Sequence, residues 1–335
     1  MQTFKLDNRE VGVGCPTYVI AEIGFNHEGN VDLGIEMIRA AAASGADAVK
    51  FQTYKADGLT VTSNPHFDLI KHGELDLDAH KRLVAAAQDA KVTFFSTPFG
   101  VDMVELLEKV GVPAYKIASM DLDNQPLLEA VGKTGKPIIL STGMGTLGEI
   151  ERAVQLLEAT GNRQIMLLHC VSEYPPAPEK ANLRTIEQIR AAFPAYSVGY
   201  SDHILGNAAA VAAVALGAVA IEKHFTTDKS LSGPDHAISA DPKDLSEMVR
   251  DIRIIEAALG RPCADLSRPD RPSALNMRRG LHAAHDIAEG TVITADMIKI
   301  IRPITDLKPT DIGLVVGRKA KKTLKAEEAI TLDVI

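Results

Sequence analysis

Two short segments of the sequence end in a histidine after an apolar run. Gly199–His203 is Gly-Tyr-Ser-Asp-His and Ile221–His224 is Ile-Glu-Lys-His, so the two histidines lie 21 residues apart. The intervening stretch, Asn207–Gly217, is rich in alanine and valine and has helical character. Strand, helix and strand over this length predict a βαβ unit with a right-handed crossover. Such a unit places the two strand ends, and therefore the two histidines, side by side.

The chemistry that this histidine pair could support is the binding of a divalent metal ion. Neutral imidazoles bind such ions, and two of them leave coordination positions open. The alternative is a pair of hydrogen-bonded histidines that bind nothing, and the spacing alone does not decide between the two. The rest of the chain favours the metal, because it repeats the same arrangement of strand, polar strand end and helix.

Short apolar strands alternate with helices between residues 18 and 259. Eight such units are typical of a (β/α)8 barrel, an α/β fold that is also called the TIM barrel. A doubly wound open sheet would alternate as well, but no glycine-rich phosphate-binding motif follows the first strand. The predicted strands are Tyr18–Gly24, Ala48–Thr53, Val92–Thr97, Ala114–Ser119, Pro137–Gly143, Gln164–Cys170, Tyr196–Ser201 and Ala218–His224.

The composition of the chain changes after residue 260. Residues 261–276 are rich in proline and arginine, which predicts a stiff, extended linker. We therefore expect a barrel domain over residues 1–260 and a small β-rich domain over residues 277–335. β-like pieces in the small domain are residues 280–284, 291–293, 314–316 and 329–332. A domain of about 60 residues has a marginal core, so we expect it to pack on a barrel mouth, its own or a partner's.

Composition excludes several classes of protein. The net charge of −8 argues against non-specific binding of nucleic acid, so an anionic substrate would need a local basic pocket. The three cysteines are an odd number without a CxxC pair, which indicates reduced thiols rather than a disulfide framework or a zinc site. The first ten residues lack the apolar core of a signal peptide, and no apolar run is long enough to span a membrane. We expect a cytoplasmic protein.

Polar side chains lie at the carboxyl ends of the predicted strands, where barrel enzymes place their active sites. Lys50 and Lys116 stand among apolar neighbours and are costly to bury unless each faces an anion. Hydroxyl groups that can donate to the same anion belong to Thr97, Ser119 and Ser141. This set predicts a pocket for a phosphate and a carboxylate. The alternative pairs each lysine with a carboxylate of the protein, for example Lys50 with Glu22.

Ten short motifs together resemble the N-acetylneuraminate (sialic acid) synthase family, which also includes legionaminic and pseudaminic acid synthases and a spore-coat polysaccharide enzyme. The resemblance covers nearly the whole chain, because residues 277–335 are similar to the family's C-terminal antifreeze-like (SAF) domain. In chain order the motifs are Ala21–Gly29, Lys50–Thr53, Phe95–Phe99, Tyr115–Ser119, Leu140–Met144, Leu168–Cys170, Glu173–Pro175, Tyr200–His203, Glu222–Phe225 and Gly233–His236.

The resemblance implies an enzyme that condenses phosphoenolpyruvate with the open-chain aldehyde of an N-acetylated hexosamine. The product would be a nine-carbon 3-deoxy-2-ulosonic acid, released together with phosphate. His203 and His224 would bind Mn²⁺, Mg²⁺ or Co²⁺, and Glu22 would perform general acid–base work. His169 is interpreted as a core histidine, and His27 as either a loop residue or a sugar contact. The implied phosphoenolpyruvate-binding residues are Lys50, Thr97, Lys116, Ser119, Ser141, Ser172 and Ser201.

On the sugar side, the implied contacts are Gln52, Asp121, Tyr174, Asp235 and Arg279. Asp121 stands where some family members have glutamate. Tyr174 could instead shape a turn before Pro175, and Asp235 could cap the next segment. Arg279 matches an arginine of the family's antifreeze-like domain that reaches the N-acetyl group of the sugar in the partner subunit. The resemblance therefore implies a homodimer with swapped C-terminal domains. The alternative for Arg279 is a solvated surface arginine.

Two rival functions remain. One is a barrel enzyme that condenses phosphoenolpyruvate with a phosphorylated aldose, such as a 3-deoxy-octulosonate 8-phosphate synthase, and the small C-terminal domain argues against it. The other is a non-catalytic sugar- or anion-binding protein that retains the barrel. Glu22, His203 and His224 argue against that second rival.

Overall fold

The computed structural model describes residues 3–260 and 271–335. The chain divides into two compact units, Met1–Gly260 and Arg261–Ile335. Most of the expected linker, residues 261–270, lies outside the described residues. The expectation of an extended chain is wrong for the remainder, because residues 271–276 belong to a helix, Arg271–Met277. Pro272 lies in the first turn of this helix, where the missing N–H group costs no intrahelical hydrogen bond.

The first unit is a closed barrel of eight parallel strands, as the alternation of strands and helices predicts, and a hairpin that was not predicted precedes it. The hairpin strands β1 (Phe4–Leu6) and β2 (Arg9–Val11) pair antiparallel. The last barrel strand, β10, pairs with the first, β3, and closes the barrel. The barrel strands are β3 (Tyr18–Gly24), β4 (Ala48–Thr53), β5 (Thr93–Pro98), β6 (Tyr115–Ile117), β7 (Ile138–Ser141), β8 (Ile165–Cys170), β9 (Ser197–Asp202) and β10 (Ala220–His224).

Most of the helices surround this barrel and bury their apolar faces against it, whereas the short helix Phe67–His72 has no buried residue. Asn30 caps the first helix by accepting hydrogen bonds from the backbone of Asp32 and Leu33. The helices of the first unit are α1 (Val31–Ala43), α2 (Ala56–Leu59), α3 (Phe67–His72), α4 (Leu77–Asp89), α5 (Val101–Val110), α6 (Gln125–Lys133), α7 (Leu147–Ala159), α8 (Thr185–Ala192), α9 (Ala208–Ala215) and α10 (Pro242–Leu259). A helix in the second unit, α11, is Arg271–Met277.

The inside of the barrel changes from apolar to polar along most strands. An apolar layer near the amino-terminal ends packs against Phe4, Leu6 and Val11 of the hairpin. Side chains of a strand alternate between its two faces, so the residue two positions further on faces the same interior. On most strands that residue is polar, as in the steps from Ile20 to Glu22 and from Ala48 to Lys50. The apolar layer thus supports a polar one at the carboxyl ends.

Several of these carboxyl ends differ from the predictions: β7 ends at Ser141 instead of Gly143, and β9 ends at Asp202 instead of Ser201. β6 ends at Ile117, and Ser119 begins a short 3-10 helix, Ser119–Asp121, instead of ending the strand. Pro98 does not stop β5 but is its last residue. A proline can occupy that position because the next residue, Phe99, supplies the N–H group that donates to the carbonyl of Thr53 (2.9 Å).

The long connection over residues 54–77 is more ordered than its polar sequence indicates. It contains α2 and α3, and Glu74 ties them together by accepting from the backbone of Ala56 (2.8 Å) and pairing with Lys55 and Lys71. Gly73 follows α3 and lies so close to Phe25 that an added Cβ atom would come within 2.1 Å of the ring. The connection therefore packs on the loop that follows β3.

The second unit has its own small core. Its strands β11 (Gly280–Ala283) and β12 (Ile298–Ile301) pair antiparallel. Predicted β-like pieces at residues 291–293 and 329–332 make only isolated bridges, Val292 with Lys319 and Ala329 with His282. The prediction for residues 314–316 is wrong, because Ile312–Val315 forms helix α12. A 3-10 turn that begins at Pro309 leads into this helix, and the local helix-start signal outweighs the β-branched residues.

Candidate active site

Four buried charged side chains form the base of a cavity at the carboxyl ends of the barrel strands. Lys50 Nζ lies 2.7 Å from Glu22 Oε2 and 3.8 Å from Glu222 Oε2. Lys116 Nζ lies 3.5 Å from Glu222 Oε1. Each of the four side chains is at most 6% exposed. The pairing of Lys50 with Glu22 that the sequence left open as an alternative is therefore present, and anion binding by the lysines stays a prediction.

The two carboxylates have opposite electrostatic surroundings. Burial raises the pKa of Glu22, and this effect outweighs the attraction of Lys50. Burial also acts on Glu222, but Lys116, Lys50 and the hydrogen bond from Ser201 together lower its pKa to about 2. Glu222 is thus the more acidic of the two carboxyl groups. Glu22 is the carboxyl group that can hold a proton closer to neutrality.

Hydroxyl groups surround these charges, as the predicted anion site requires. Lys50 Nζ donates to Thr97 Oγ1 (3.1 Å), and Ser201 Oγ donates to Glu222 Oε1 (2.8 Å). The hydroxyls of Ser119 and Ser172 lie 3.1 Å apart. All predicted phosphoenolpyruvate-binding residues except Ser172 line the cavity, and Ser172 joins it through Ser119. The structure therefore brings the predicted set together.

His203 and His224 lie side by side, with ring centroids 5.4 Å apart, as neighbouring strand ends predict. His203 Nδ1 is hydrogen-bonded to the carbonyl of Val171 (2.8 Å), which leaves Nε2 for the cavity. His224 Nδ1 is buried without a hydrogen-bond partner. Burial lowers the pKa of His203, and burial together with His203 lowers the pKa of His224 well below its ordinary value. Both rings are therefore neutral near pH 7.

Two neutral imidazoles fit a divalent metal ion with open positions, and the orphaned Nδ1 of His224 is a nitrogen that such an ion would satisfy. The Asp235 carboxylate is a further oxygen nearby, 3.7 Å from His224 Nδ1. No group of three or more His, Cys, Asp or Glu side chains with metal-binding geometry occurs in residues 3–260 or 271–335. Any ion held here would therefore complete its coordination with water or substrate.

The predicted sugar contacts are less concentrated than the anion site. Tyr174 lies against both histidines, with its ring centroid 4.3 Å from that of His203. Gln52 Nε2 donates to Glu22 Oε1 (3.2 Å). Asp121 does not line the cavity. One of its oxygens accepts from Asn124 (2.8 Å), and the other is buried without a partner. Arg279 belongs to the second unit and is exposed.

Glu222 is the site residue that the sequence analysis missed. Its position was recognised as a strand end, but no role was assigned to it. The available signal was its spacing from His224, because residues two apart on a strand face the same side. A histidine that faces the cavity therefore places Glu222 in the layer below it, where it contacts Lys116, Lys50 and Ser201. Cys170 lines the same cavity.

The remaining histidines near the site have structural roles. His169 Nε2 is hydrogen-bonded to the carbonyl of Ala181 (2.7 Å), and the ring stacks on Tyr200. His27 is 1% exposed, and its Nδ1 accepts from the backbone of Gly29 (3.0 Å), which fits the interpretation as a loop residue.

His27 predicts a specific pH dependence of folding stability. Burial, with a contribution from His80, lowers the pKa of His27 from 6.5 to about 4. Between these two pH values the unfolded chain therefore binds more protons than the folded chain. The stability that the neutral His27 contributes is fully present above pH 6.5 and is lost as the pH falls from 6.5 through about 4. The difference corresponds to about 3 kcal/mol. His27→Asn keeps an acceptor for Gly29 but cannot titrate. Urea unfolding at pH 7 and pH 4 should show a smaller loss for this variant than for wild type, and equal losses would contradict the assignment.

None of the helices in the described part of the chain has the length and apolar character that a membrane crossing requires. The closed parallel barrel, with its charged and hydroxyl-rich cavity at the carboxyl ends of the strands, defines a TIM-barrel protein with the active-site layout of that fold. The profile of the NeuB family matches residues 37–263, and that of the SAF domain matches residues 278–335. The chain belongs to the NeuB family of sialic-acid-type synthases.

Similar proteins extend over nearly the whole chain. The uncharacterized protein MJ1065 of Methanocaldococcus jannaschii is 43% identical over 99% of this chain and 98% of its own length. The N,N'-diacetyllegionaminic acid synthase of Campylobacter jejuni is 39% identical over 94% of this chain and 98% of its own. A crystal structure of the sialic acid synthetase of Leptospira borgpetersenii in complex with citrate is 36% identical, with a TM-score of 0.77 over 81% of this chain and 95% of that chain. These similarities confirm the family resemblance and the fold.

Proposed function

We propose that this protein is a transferase that condenses phosphoenolpyruvate with the open-chain form of an N-acetylated hexosamine, such as N-acetylmannosamine, in a metal-dependent reaction. The products are a nine-carbon 3-deoxy-2-ulosonic acid of the sialic acid type and phosphate. A di-acetamido-trideoxyhexose is the alternative sugar, and similarity to a legionaminic acid synthase supports it. Because phosphoenolpyruvate is a metabolite of the cytoplasm, we place the reaction there.

The observation that carries the proposal is the convergence of two kinds of site in one cavity. Two buried lysines with four hydroxyl groups suit a phosphate and a carboxylate, and two neutral imidazoles lie beside them. Phosphoenolpyruvate presents both anions on a three-carbon unit. A binding protein for anions would need the lysines and hydroxyls, but it would have no use for the adjacent imidazoles.

In the proposed reaction, C3 of phosphoenolpyruvate attacks the aldehyde carbon of the sugar and forms the new carbon–carbon bond. A water molecule adds to the cationic C2, and the resulting tetrahedral intermediate expels phosphate as its C2–O bond breaks. Lys50, Lys116 and the surrounding hydroxyls hold the phosphate and carboxylate, so that C3 faces the sugar. A divalent ion on His203 and His224 would polarise the aldehyde as a Lewis acid.

Glu22 is proposed to handle the proton of the attacking water or of a sugar hydroxyl. Its buried environment raises its pKa, and the hydrogen bond from Gln52 (3.2 Å) orients the carboxyl group. A carboxyl group whose pKa is raised above its ordinary value suits general acid–base catalysis. Tyr174 and Asp235, which lie next to the histidines, would contact the sugar.

The assembly is proposed to be a homodimer in which each SAF domain caps the partner's barrel, with Arg279 as its sugar contact. Replacing Arg279 by alanine is then expected to raise the KM for the sugar about tenfold, the effect of one lost hydrogen bond to a charged group. The KM for phosphoenolpyruvate should not change. Initial rates against each substrate measure both values, and Arg278→Ala is the matched control. An unchanged KM for the sugar would contradict the role of Arg279. A protein that is fully active and monomeric by solution scattering would contradict the swapped dimer.

The experiment that tests the function measures phosphate release from phosphoenolpyruvate by metal-stripped protein, with and without Mn²⁺. The panel contains free N-acetylated hexosamines, a di-acetamido-trideoxyhexose and 6-phosphorylated hexosamines. Mn²⁺-dependent turnover with one free sugar supports the proposal and identifies the substrate. Turnover only with a phosphorylated sugar would favour the phosphorylated-aldose rival. The absence of both turnover and phosphoenolpyruvate binding would overturn the enzyme assignment.

A further inference from the structure

Lys223 is a buried cation that takes no part in the proposed chemistry. Its side chain is 3% exposed and stands next to His224 in the chain. The ammonium group donates to Asp202 Oδ2 (2.6 Å), to the carbonyl of Gly206 (2.9 Å) and to the carbonyl of Ile204. An ammonium group has three N–H donors, so these three acceptors satisfy it completely. Burying a charged lysine is costly, so the contacts that it makes inside the protein must compensate for that cost.

The ammonium group lies on the outer face of the barrel wall, behind the histidines. Lys223 pairs in register with Asp202 of the neighbouring strand β9. Glu222 and His224 face the cavity, so the alternation of side chains directs Lys223 to the other face. Asp202 likewise alternates with Ser201 and His203, which line the cavity. The ion pair thus joins the two strands that carry the histidines, from the side opposite to the cavity.

The three acceptors of Lys223 also enclose the backbone on which His203 sits. Asp202 precedes His203, and the carbonyls of Ile204 and Gly206 follow it. The other oxygen of Asp202 accepts from the backbone N–H of Ile204 (3.0 Å), which closes the turn around His203. The segment 202–206 is therefore wrapped around one ammonium group that belongs to the strand of His224.

We propose that Lys223 is a positioning residue that locks the segment bearing His203 onto the strand bearing His224, and so sets the distance between the two imidazoles for a divalent cation. This inference rests on the metal site of the proposed function. Partners that orient metal ligands from behind typically change metal affinity 10–100-fold when they are removed. Lys223 contacts none of the lysines and hydroxyls of the anion site, so phosphoenolpyruvate binding should not depend on it.

The test measures Mn²⁺ binding to the metal-stripped full-length chain by the electron paramagnetic resonance signal of free Mn²⁺. Phosphoenolpyruvate binding is measured in parallel by calorimetry. The variants are Lys223→Met and the double variant Lys223→Met with Asp202→Asn, in which no buried charge of this pair is left unpaired. If the single variant does not fold, the double variant carries the measurement. Lys133→Met, which removes a surface lysine that pairs with Glu129, is the control.

We expect the Kd for Mn²⁺ to rise about 10–100-fold in the Lys223 variants, while the Kd for phosphoenolpyruvate stays within about threefold of wild type. The control variant should match wild type in both. Mn²⁺ affinity equal to wild type in the double variant would overturn the inference while leaving the proposed function intact. A loss of phosphoenolpyruvate affinity that matches the loss of Mn²⁺ affinity would also overturn it, because the lysine would then only maintain the fold. Failure of wild type to bind Mn²⁺ or to turn over would instead remove the proposed function and this inference with it.

Discussion

Replacing His203 by alanine is expected to lower the rate of phosphate release ~10³-fold while the protein remains folded and still binds phosphoenolpyruvate. The hydrogen bond to Val171 orients the His203 ring, so that Nε2 faces the cavity beside His224. Without this imidazole, one protein nitrogen remains to hold the metal ion. Lewis-acid stabilisation is worth several kcal/mol, and each 1.4 kcal/mol is a factor of ten in rate. The measurement is phosphate release at saturating substrates and saturating Mn²⁺.

Two controls distinguish this result from general damage or from adventitious metal binding. His285→Ala removes an exposed histidine of the second unit and should behave as wild type in every assay. Phosphoenolpyruvate binding by the His203 variant, measured by calorimetry, should stay within about threefold, because the anion site uses other side chains. Unchanged turnover in His203→Ala would contradict a metal-binding role of the two histidines. They would then be hydrogen-bonded histidines that bind no metal, the alternative that the spacing left open.

The barrel could be predicted from the sequence because its strands are fully buried and short. Tyr18–Gly24 is a largely apolar, β-branched run, and Ala48–Thr53 carries apolar residues beside Lys50 and Gln52; the structure gives both the predicted bounds. The adjacency of His203 and His224 followed from the same logic, since a parallel crossover makes consecutive strands neighbours. The lysines and hydroxyls of the polar layer were predicted from their place at the carboxyl ends of the strands, whereas Glu222 was missed.

Other features depend on contacts that no local pattern contains. The choice of partner for Lys50 between Glu22 and Glu222 is set by side-chain positions on three different strands. Residues 314–316 were predicted as a β-like piece because a short apolar run does not distinguish a strand from a helix, and the turn at Pro309 that leads into the helix Ile312–Val315 decides it. Strand Ile298–Ile301 was missed because a segment of four residues shows little periodicity. Its pairing with Gly280–Ala283 defines it as a strand.

Lys50 gives the second large expected effect, on folding and on binding together. Lys50 is 3% exposed, and its ammonium group lies 2.7 Å from Glu22 and donates to Thr97. Lys50→Met is expected to lower the free energy of unfolding by about 3–5 kcal/mol, because it leaves the buried carboxylate of Glu22 without its nearest cation. Phosphoenolpyruvate affinity should fall at least about 30-fold, the cost of losing one partner of a buried charge pair. Urea unfolding and calorimetry measure the two effects.

The double variant Lys50→Met with Glu22→Gln separates the two roles of this lysine. It removes both charges of the pair and keeps their shapes, so we expect most of the lost unfolding free energy to return. Phosphoenolpyruvate binding should not return, because the cation that faces its anionic groups is still missing. Recovery of stability without recovery of binding would establish Lys50 as an anion-binding residue that Glu22 neutralises while the site is empty. If the double variant bound phosphoenolpyruvate as wild type does, Lys50 would be a structural cation, and Lys116 with its hydroxyl neighbours would have to hold the substrate alone.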